Sequence, residues 1–290
     1  AMGISSGMVS LFTQLNAEGF FDDIGSVIEF GAQTTRCLYR APVMKKCLDS
    51  FGRLEGLTDE ELGRICKGPS RDFYEAIGME YACLDTSGKD GAFIFDLNFD
   101  AVSEEQCGKF DLLTNFGTSE HVFNQYNSFK AAHDFVRKGG AFMHFMPFLG
   151  YMDHGYYSFQ PCFYHELAAA NDYDILGMWL NPDGRHDSYL IPWTPDILKH
   201  LSLKATDFSG LFVLMRKTGD EAFKIPFQGR YEDRFSGDFE ARYTSVASSG
   251  ELGIVSPQAL MNSLSGHDLQ RELGKRYFSK LGKLLSGRWR

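Results

Sequence analysis

Residues 110–163 read FDLLTNFGTSEHVFNQYNSFKAAHDFVRKGGAFMHFMPFLGYMDHGYYSFQPCF. The order is a buried strand at 111–114, a polar loop, a helix over about 122–137, a Lys138-Gly139-Gly140 turn, and a second buried strand at 141–147. A polar, aromatic loop follows. This is one βαβ unit with polar side chains gathered just past the strand ends. Ligands of open α/β sheets bind beyond those carboxyl ends.

The same alternation extends in both directions. Upstream, residues 5–19 place Met8, Leu11, Phe12 and Leu15 on one helical face. Ser26 to Phe30 is a short apolar run closed by Gly31. A helix-rich segment spans about 36–79, with a helix start at Thr58-Asp59 backed by Glu61. Strands are expected at 81–84, ending in Asp85, and at 92–95, ending in Asp96-Leu97-Asn98. Downstream, 163–171 reads as a helix, 173–180 as a strand, 181–184 as a turn and 211–216 as another strand. Strands alternating with helices imply an α/β fold, a mostly parallel twisted sheet with helices on both faces. One domain over 1–290 is expected, with a helical insert at about 36–79 and a helical C-terminal extension at about 236–290. No internal repeat is seen.

Composition narrows the class. A chain of 290 residues with 43% hydrophobic content holds a sizeable core. Its 26 Phe and 13 Tyr make much of that core, or of a pocket, aromatic. A net charge of -9 argues against a general nucleic-acid binder. Residues 268–290 run against that trend, with seven Lys/Arg and two Asp/Glu, and read as a solvated amphipathic helix. The six cysteines show no CxxC spacing, so a reduced, cytoplasmic protein without a disulfide framework is expected. Neither an 18-residue apolar run nor a signal-peptide pattern is seen, so no membrane partner is expected.

Four successive strands end in polar residues: Glu29, Asp85, Asp96 and Asn115. A carboxylate such as Asp85 can accept from both hydroxyls of a ribose. An acid or amide at Asp96-Leu97-Asn98 can accept from an adenine amino group while Leu97 packs on the ring. Taken singly, Gly31 and Asp85 read equally as turn residues. The run VIEFGAQ (27–33) offers one glycine where a dinucleotide site wants three, which counts against NAD or FAD.

These motifs resemble those of the class I S-adenosylmethionine (SAM)-dependent methyltransferases over roughly 24–220. VIEFGAQ stands at the glycine-rich first motif, YACLD at the ribose-binding acid, and FDLN at the adenine-binding motif. FDLLTNFGTSEHV and RKGGAFMHFMPF stand at the fourth and fifth strands. Gln33 stands where the family commonly has another glycine. The resemblance implies a Rossmann-like methyltransferase fold and SAM as cofactor. It places Glu29, Gly31, Ala32, Gln33, Asp85, Asp96, Leu97, Asn98, Asn115 and Phe116 at that cofactor. The implied reaction is methyl transfer to a small-molecule acceptor, oxygen first and nitrogen next, in natural-product or polysaccharide biosynthesis.

A hydroxyl acceptor must lose its proton, and histidine suits that role. His121 and His154 are the candidate bases. Gln125, four residues after His121, and Tyr156 and Tyr157 are candidate acceptor contacts. Glu120 reads as a helix cap, His154 equally as a solvated loop residue, and His144 as a satisfied core residue. No metal is expected, with a divalent ion on Glu120, His121 and His154 as the alternative. Two other functions fit the same fold: SAM-using alkyl transfer or cyclisation, and a non-catalytic binding or scaffold role.

Overall fold

The computed structural model describes residues 3–37, 40–181, 190–197 and 208–226. The turn residues 182–184 and the expected C-terminal extension lie outside them.

The main sheet contains β2 (Ser26–Phe30), β4 (Glu80–Asp85), β5 (Phe93–Ile94), β6 (Phe110–Phe116), β7 (Val136–Leu149), β8 (Tyr173–Asn181), β9 (Ile191–Pro192) and β10 (Ser209–Lys217). Its order is β5-β4-β2-β6-β7-β10-β8-β9. The pairs from β5 to β7 are parallel, and those from β7 through β10 and β8 to β9 are antiparallel. A separate two-residue ladder joins β1 (Ile4–Ser5) to β3 (Thr35–Arg36). The chain runs outward from β2 to β4 and β5, then returns to β6 on the other side of β2. That reversal makes the ends of β2 and β6 a topological switch point, where open sheets bind ligands.

Period-two alternation sends side chains to two cores. Ile28, Phe30 and Leu113 join α5 (Gln125–Phe135) and α6 (Pro161–Asn171) through Phe129, Phe135, Tyr164 and Leu167. Val27, Leu112 and Phe116 face the other way. They join α1 (Ser6–Ala17), α2 (Ala41–Ser50), α3 (Asp59–Lys67) and α4 (Ser70–Ala76) through Phe12, Leu48, Ile65 and Tyr74. The segment expected as an insert is therefore part of one covering layer. Each fully buried large apolar side chain contributes roughly 1.5–3 kcal/mol. Thr58 accepts from the Glu61 N–H while Glu61 accepts from the Thr58 N–H, completing the capping box that starts α3.

Several boundaries differ from expectation, with β6 reaching Phe116 rather than 114 and β7 reaching Leu149 rather than 147. Helix α5 starts at Gln125 rather than 122, because the Asn98 side chain accepts from the Phe123 and Asn124 N–H groups and holds them outside the helix. The Lys138-Gly139-Gly140 turn lies inside the long strand β7, as a bulge where pairing steps from Phe110↔Val136 to Leu112↔Ala141. Strand β5 is only two residues long. All six cysteines are free, and no described helix is long and apolar enough to cross a membrane.

Candidate functional site

At the switch point the loops after β2, β4 and β6 meet. Gly31 has φ +77°, a conformation that costs L side chains and suits glycine. A Cβ there would also lie 2.8 Å from the Thr118 Oγ1. Thr118 donates to the Phe30 carbonyl at 2.6 Å and accepts from the Gln33 Nε2 at 3.1 Å, tying the β6 loop to the β2 loop. Gln33 is buried in that contact.

Asp85 closes the third side. Its Oδ2 accepts from the Ala32 N–H at 3.2 Å, and its Oδ1 from the Ser87 N–H at 2.8 Å and hydroxyl at 2.5 Å. Burial pushes this carboxyl up, but the Ser87 and Ala32 hydrogen bonds outweigh it and hold the group below its ordinary value. A carboxylate offers about four lone-pair sites. Oδ2 thus keeps room for a further donor, which suits a ribose hydroxyl.

Glu29 points to the α1–α4 side and is wholly buried. Its Oε2 accepts from the Ser70 hydroxyl, from the Tyr81 hydroxyl at 2.8 Å and from the Gln33 N–H at 3.4 Å. Burial pushes it up to about 7 against those bonds. It pins the start of α4 under the β2 loop, a network that sequence reading missed because Ser70 lies 41 residues away.

Asp96 leaves β5 at the same sheet edge, two residues beyond Ile94, the register partner of Asp85. Its Oδ1 accepts from the Asn98 N–H and side-chain amide at 2.8 and 2.9 Å. Asn98 is in turn bonded to Phe123 and Asn124, and Asn127 donates to the Leu97 carbonyl. Leu97 is buried. The Asp96-Leu97-Asn98 turn is thereby stitched to the start of α5.

Asn115 and Phe116 lie wholly inside the protein. Asn115 Nδ2 donates to the Ser119 hydroxyl at 2.7 Å and lies 3.3 Å from the His144 Nδ1. The Ser119 N–H returns a bond to Asn115 Oδ1 at 3.3 Å. His144 is a core residue, as expected, and burial lowers it to about 3.

The second cluster stands just past β6. Ser119–His121 forms a short 3-10 turn. Glu120 is 0% exposed, and neither carboxylate oxygen has a hydrogen-bond partner on another residue, its own backbone N–H being the one donor that lowers it. Its Oε1 lies 3.7 Å from the His121 Nε2 and 3.6 Å from the His154 Nε2. The two imidazoles are 45% and 28% exposed. Burial pushes Glu120 up to about 7 and both histidines below their ordinary value. Glu120 was expected as a helix cap; it is instead a buried carboxylate facing two histidines. The 150–159 loop is fixed over it, since the Tyr156 and Tyr157 N–H groups donate to the Glu120 carbonyl at 2.8 and 3.2 Å. Gly155 makes that approach fit: a Cβ would lie 2.9 Å from the Glu120 carbonyl oxygen.

The expected acceptor contacts surround this cluster unevenly. Gln125 Nε2 donates to the Ser119 carbonyl at 2.7 Å and to the Val122 carbonyl, leaving Oε1 buried without a partner. The Tyr157 hydroxyl donates to the Phe123 carbonyl at 2.9 Å. Tyr156 is exposed and meets the exposed Phe123 edge-on.

The strand order and the parallel register from β5 to β7 define a Rossmann-like α/β fold. No protein-family model matches the chain, and no curated protein matches it. Among solved structures it is similar to the O-methyltransferase of a trans-AT PKS multienzyme of Brevibacillus brevis in complex with S-adenosyl-L-homocysteine. The identity is 16% over 89% of this chain and 83% of that one, with a TM-score of 0.40. It is similar also to a SAM-dependent methyltransferase of Archaeoglobus fulgidus, 11% identical over 71% of this chain and 93% of that one, TM-score 0.37. A third is StiE O-MT residues 942–1257, 12% identical over 83% and 80%, TM-score 0.38.

Proposed function

We propose that this protein is a SAM-dependent methyltransferase acting on an oxygen of a small-molecule acceptor. The observation that carries the reading is the meeting of Asp85 with the Ala32 backbone at the switch point. It sets a carboxylate with spare acceptor capacity beside a glycine turn, at the crevice where such sheets bind ligands.

Gly31, Ala32, Asp85 and the Asp96-Leu97-Asn98 turn would hold the cofactor, which supplies an electrophilic methyl group when bound. The chain's own contribution is position and proton handling. Holding two reactants in line lowers a barrier by roughly 7–11 kcal/mol in favourable cases. Burial lowers the His121 and His154 imidazoles and so favours their neutral form, and the half-exposed His121 ring can accept the acceptor's proton. A positioned base contributes about 10²–10⁴-fold. Oxygen ranks above nitrogen because a hydroxyl needs such a base and His121 offers one. The Tyr156 and Phe123 rings offer an apolar lip beside it.

The test is calorimetry with S-adenosylhomocysteine on the whole chain. Saturable binding that Asp85→Ala weakens supports the reading; no heat at millimolar ligand removes it. Mass spectrometry of the spent cofactor then separates methyl transfer, which leaves S-adenosylhomocysteine, from transfer of another sulfonium carbon.

A further inference from the structure

Glu120 poses a problem that the methyl-transfer reading leaves open. A buried carboxylate with no hydrogen-bond donor from another residue is costly. Among the described residues, its ion-pair partners are the two imidazoles, at distances too long for a hydrogen bond. One ligand atom from each of Glu120, His121 and His154 lies within 4.8 Å of the other two. The His154 Nε2 is itself buried without a partner.

We propose that Glu120, His121 and His154 form a binding site for a divalent first-row transition ion. Two imidazoles and one carboxylate, with open positions, are a donor set that such ions take. Ligand atoms about 2.0–2.2 Å from a shared ion stand roughly 3–4.4 Å from one another, and the two measured separations, 3.7 and 3.6 Å, fall in that range. The site is held in advance of binding. Glu120 and His121 are adjacent on one 3-10 turn, and the loop that carries His154 is bonded through its next residues to the Glu120 carbonyl. The half-exposed His121 ring is the solvent side of the cluster, since the Glu120 oxygens and the His154 Nε2 are buried.

The consequence for chemistry rests on the methyltransferase reading. With an ion held, both Nε2 lone pairs are occupied and neither histidine is free to act as base. An acceptor hydroxyl bound at an open position is acidified by the ion, and its proton passes to solvent water.

The experiment uses the chelator-stripped chain titrated with Co²⁺, read by visible d–d absorption and by elemental analysis for stoichiometry. One cobalt ion per chain is expected, and His121→Ala, His154→Ala and Glu120→Gln each weaken binding by at least about tenfold. His121 is half-exposed, so its variant keeps the test intact should the buried Glu120 variant fail to fold. Absence of Co²⁺ binding by the native chain, or native affinity in the His121 and His154 variants, overturns the proposal. Full methylation by the stripped chain overturns the catalytic consequence. S-adenosylhomocysteine binding is measured on the same samples. Cofactor binding without Co²⁺ removes the metal site alone, and Co²⁺ binding without cofactor removes the methyltransferase reading alone.

Discussion

The Asp85 carboxylate accepts from the Ala32 backbone N–H at 3.2 Å, across 53 residues of sequence. This bond joins the loops after β4 and β2 on the side of the crevice expected to take a nucleoside. Because Ser87 fills Oδ1, the free capacity lies on Oδ2, facing the Ala32 loop.

Asp85→Asn should weaken S-adenosylhomocysteine binding by about 1.5–3 kcal/mol, the worth of a hydrogen bond to a charged group. Asp96→Asn should cost less, because Asp96 Oδ1 already accepts two bonds from Asn98. Calorimetry on both variants checks the order. Equal losses would mean that Asp85 has no privileged contact.

Gly155→Ala should damage the second cluster without touching the first. The added Cβ would press on the Glu120 carbonyl and Cγ, at 2.9 and 3.0 Å. Relief requires the 150–159 loop to lift, which carries His154 away from Glu120. Overpacking of this kind costs about 1–3 kcal/mol. Methyl transfer should fall while S-adenosylhomocysteine affinity stays within about twofold of native. A loss of cofactor affinity equal to the loss of rate would mean that the two clusters are one site.

Much of this geometry could be read from sequence, and the part that could not has a common cause. The strand ends at Phe30 and Asp85 were legible because apolar runs stop there against Gly and polar residues, a local signal, whereas β6 runs on to Phe116, past the expected end at 114. The helix start at Thr58 was legible for the same reason. The start of α5 was not, because Asn98 sets it from 26 residues away. Glu120 looked like a solvent-facing cap because nothing near it in sequence buries it; the loop around Gly155 does. Asn115 looked like a ligand contact because it ends a strand. Its side chain turns inward because the β6 pleat puts it on the face with Leu113, under α5.

Asn115→Ala therefore tests structure against binding. It would leave the Ser119 N–H and the His144 Nδ1 short of a partner in a buried place, while the Ser119 hydroxyl keeps the Ser128 hydroxyl at 2.7 Å. Losing a buried partner costs about 1–3 kcal/mol. Denaturant unfolding should register that loss, and S-adenosylhomocysteine affinity should not change beyond about twofold. A selective loss of cofactor binding with native stability would return Asn115 to the cofactor.

Stability against pH should be set from opposite sides by two buried carboxyls, Glu29 and Glu120, and by three buried histidines. Burial lowers His144 to about 3 and His133 and His165 to about 4, from 6.5. Below 6.5 the unfolded chain takes up protons that the folded chain refuses. The stability these histidines give is therefore present above 6.5 and lost as pH falls toward their folded values. Glu29 is pushed up from 4.5 to about 7. Its contribution is present below 4.5 and lost as pH rises through 7, because the folded chain then holds an ionised carboxylate without water. Glu29→Gln removes that titration and leaves the one of Glu120. Melting curves from about pH 5 to about pH 8 should show the variant gaining on the native chain as pH rises, with the acid-side fall unchanged in both. A constant difference across that range would mean that Glu29 keeps one charge state throughout, with Ser70, Tyr81 and Gln33 supplying enough hydrogen bonds to hold the carboxylate ionised despite its burial.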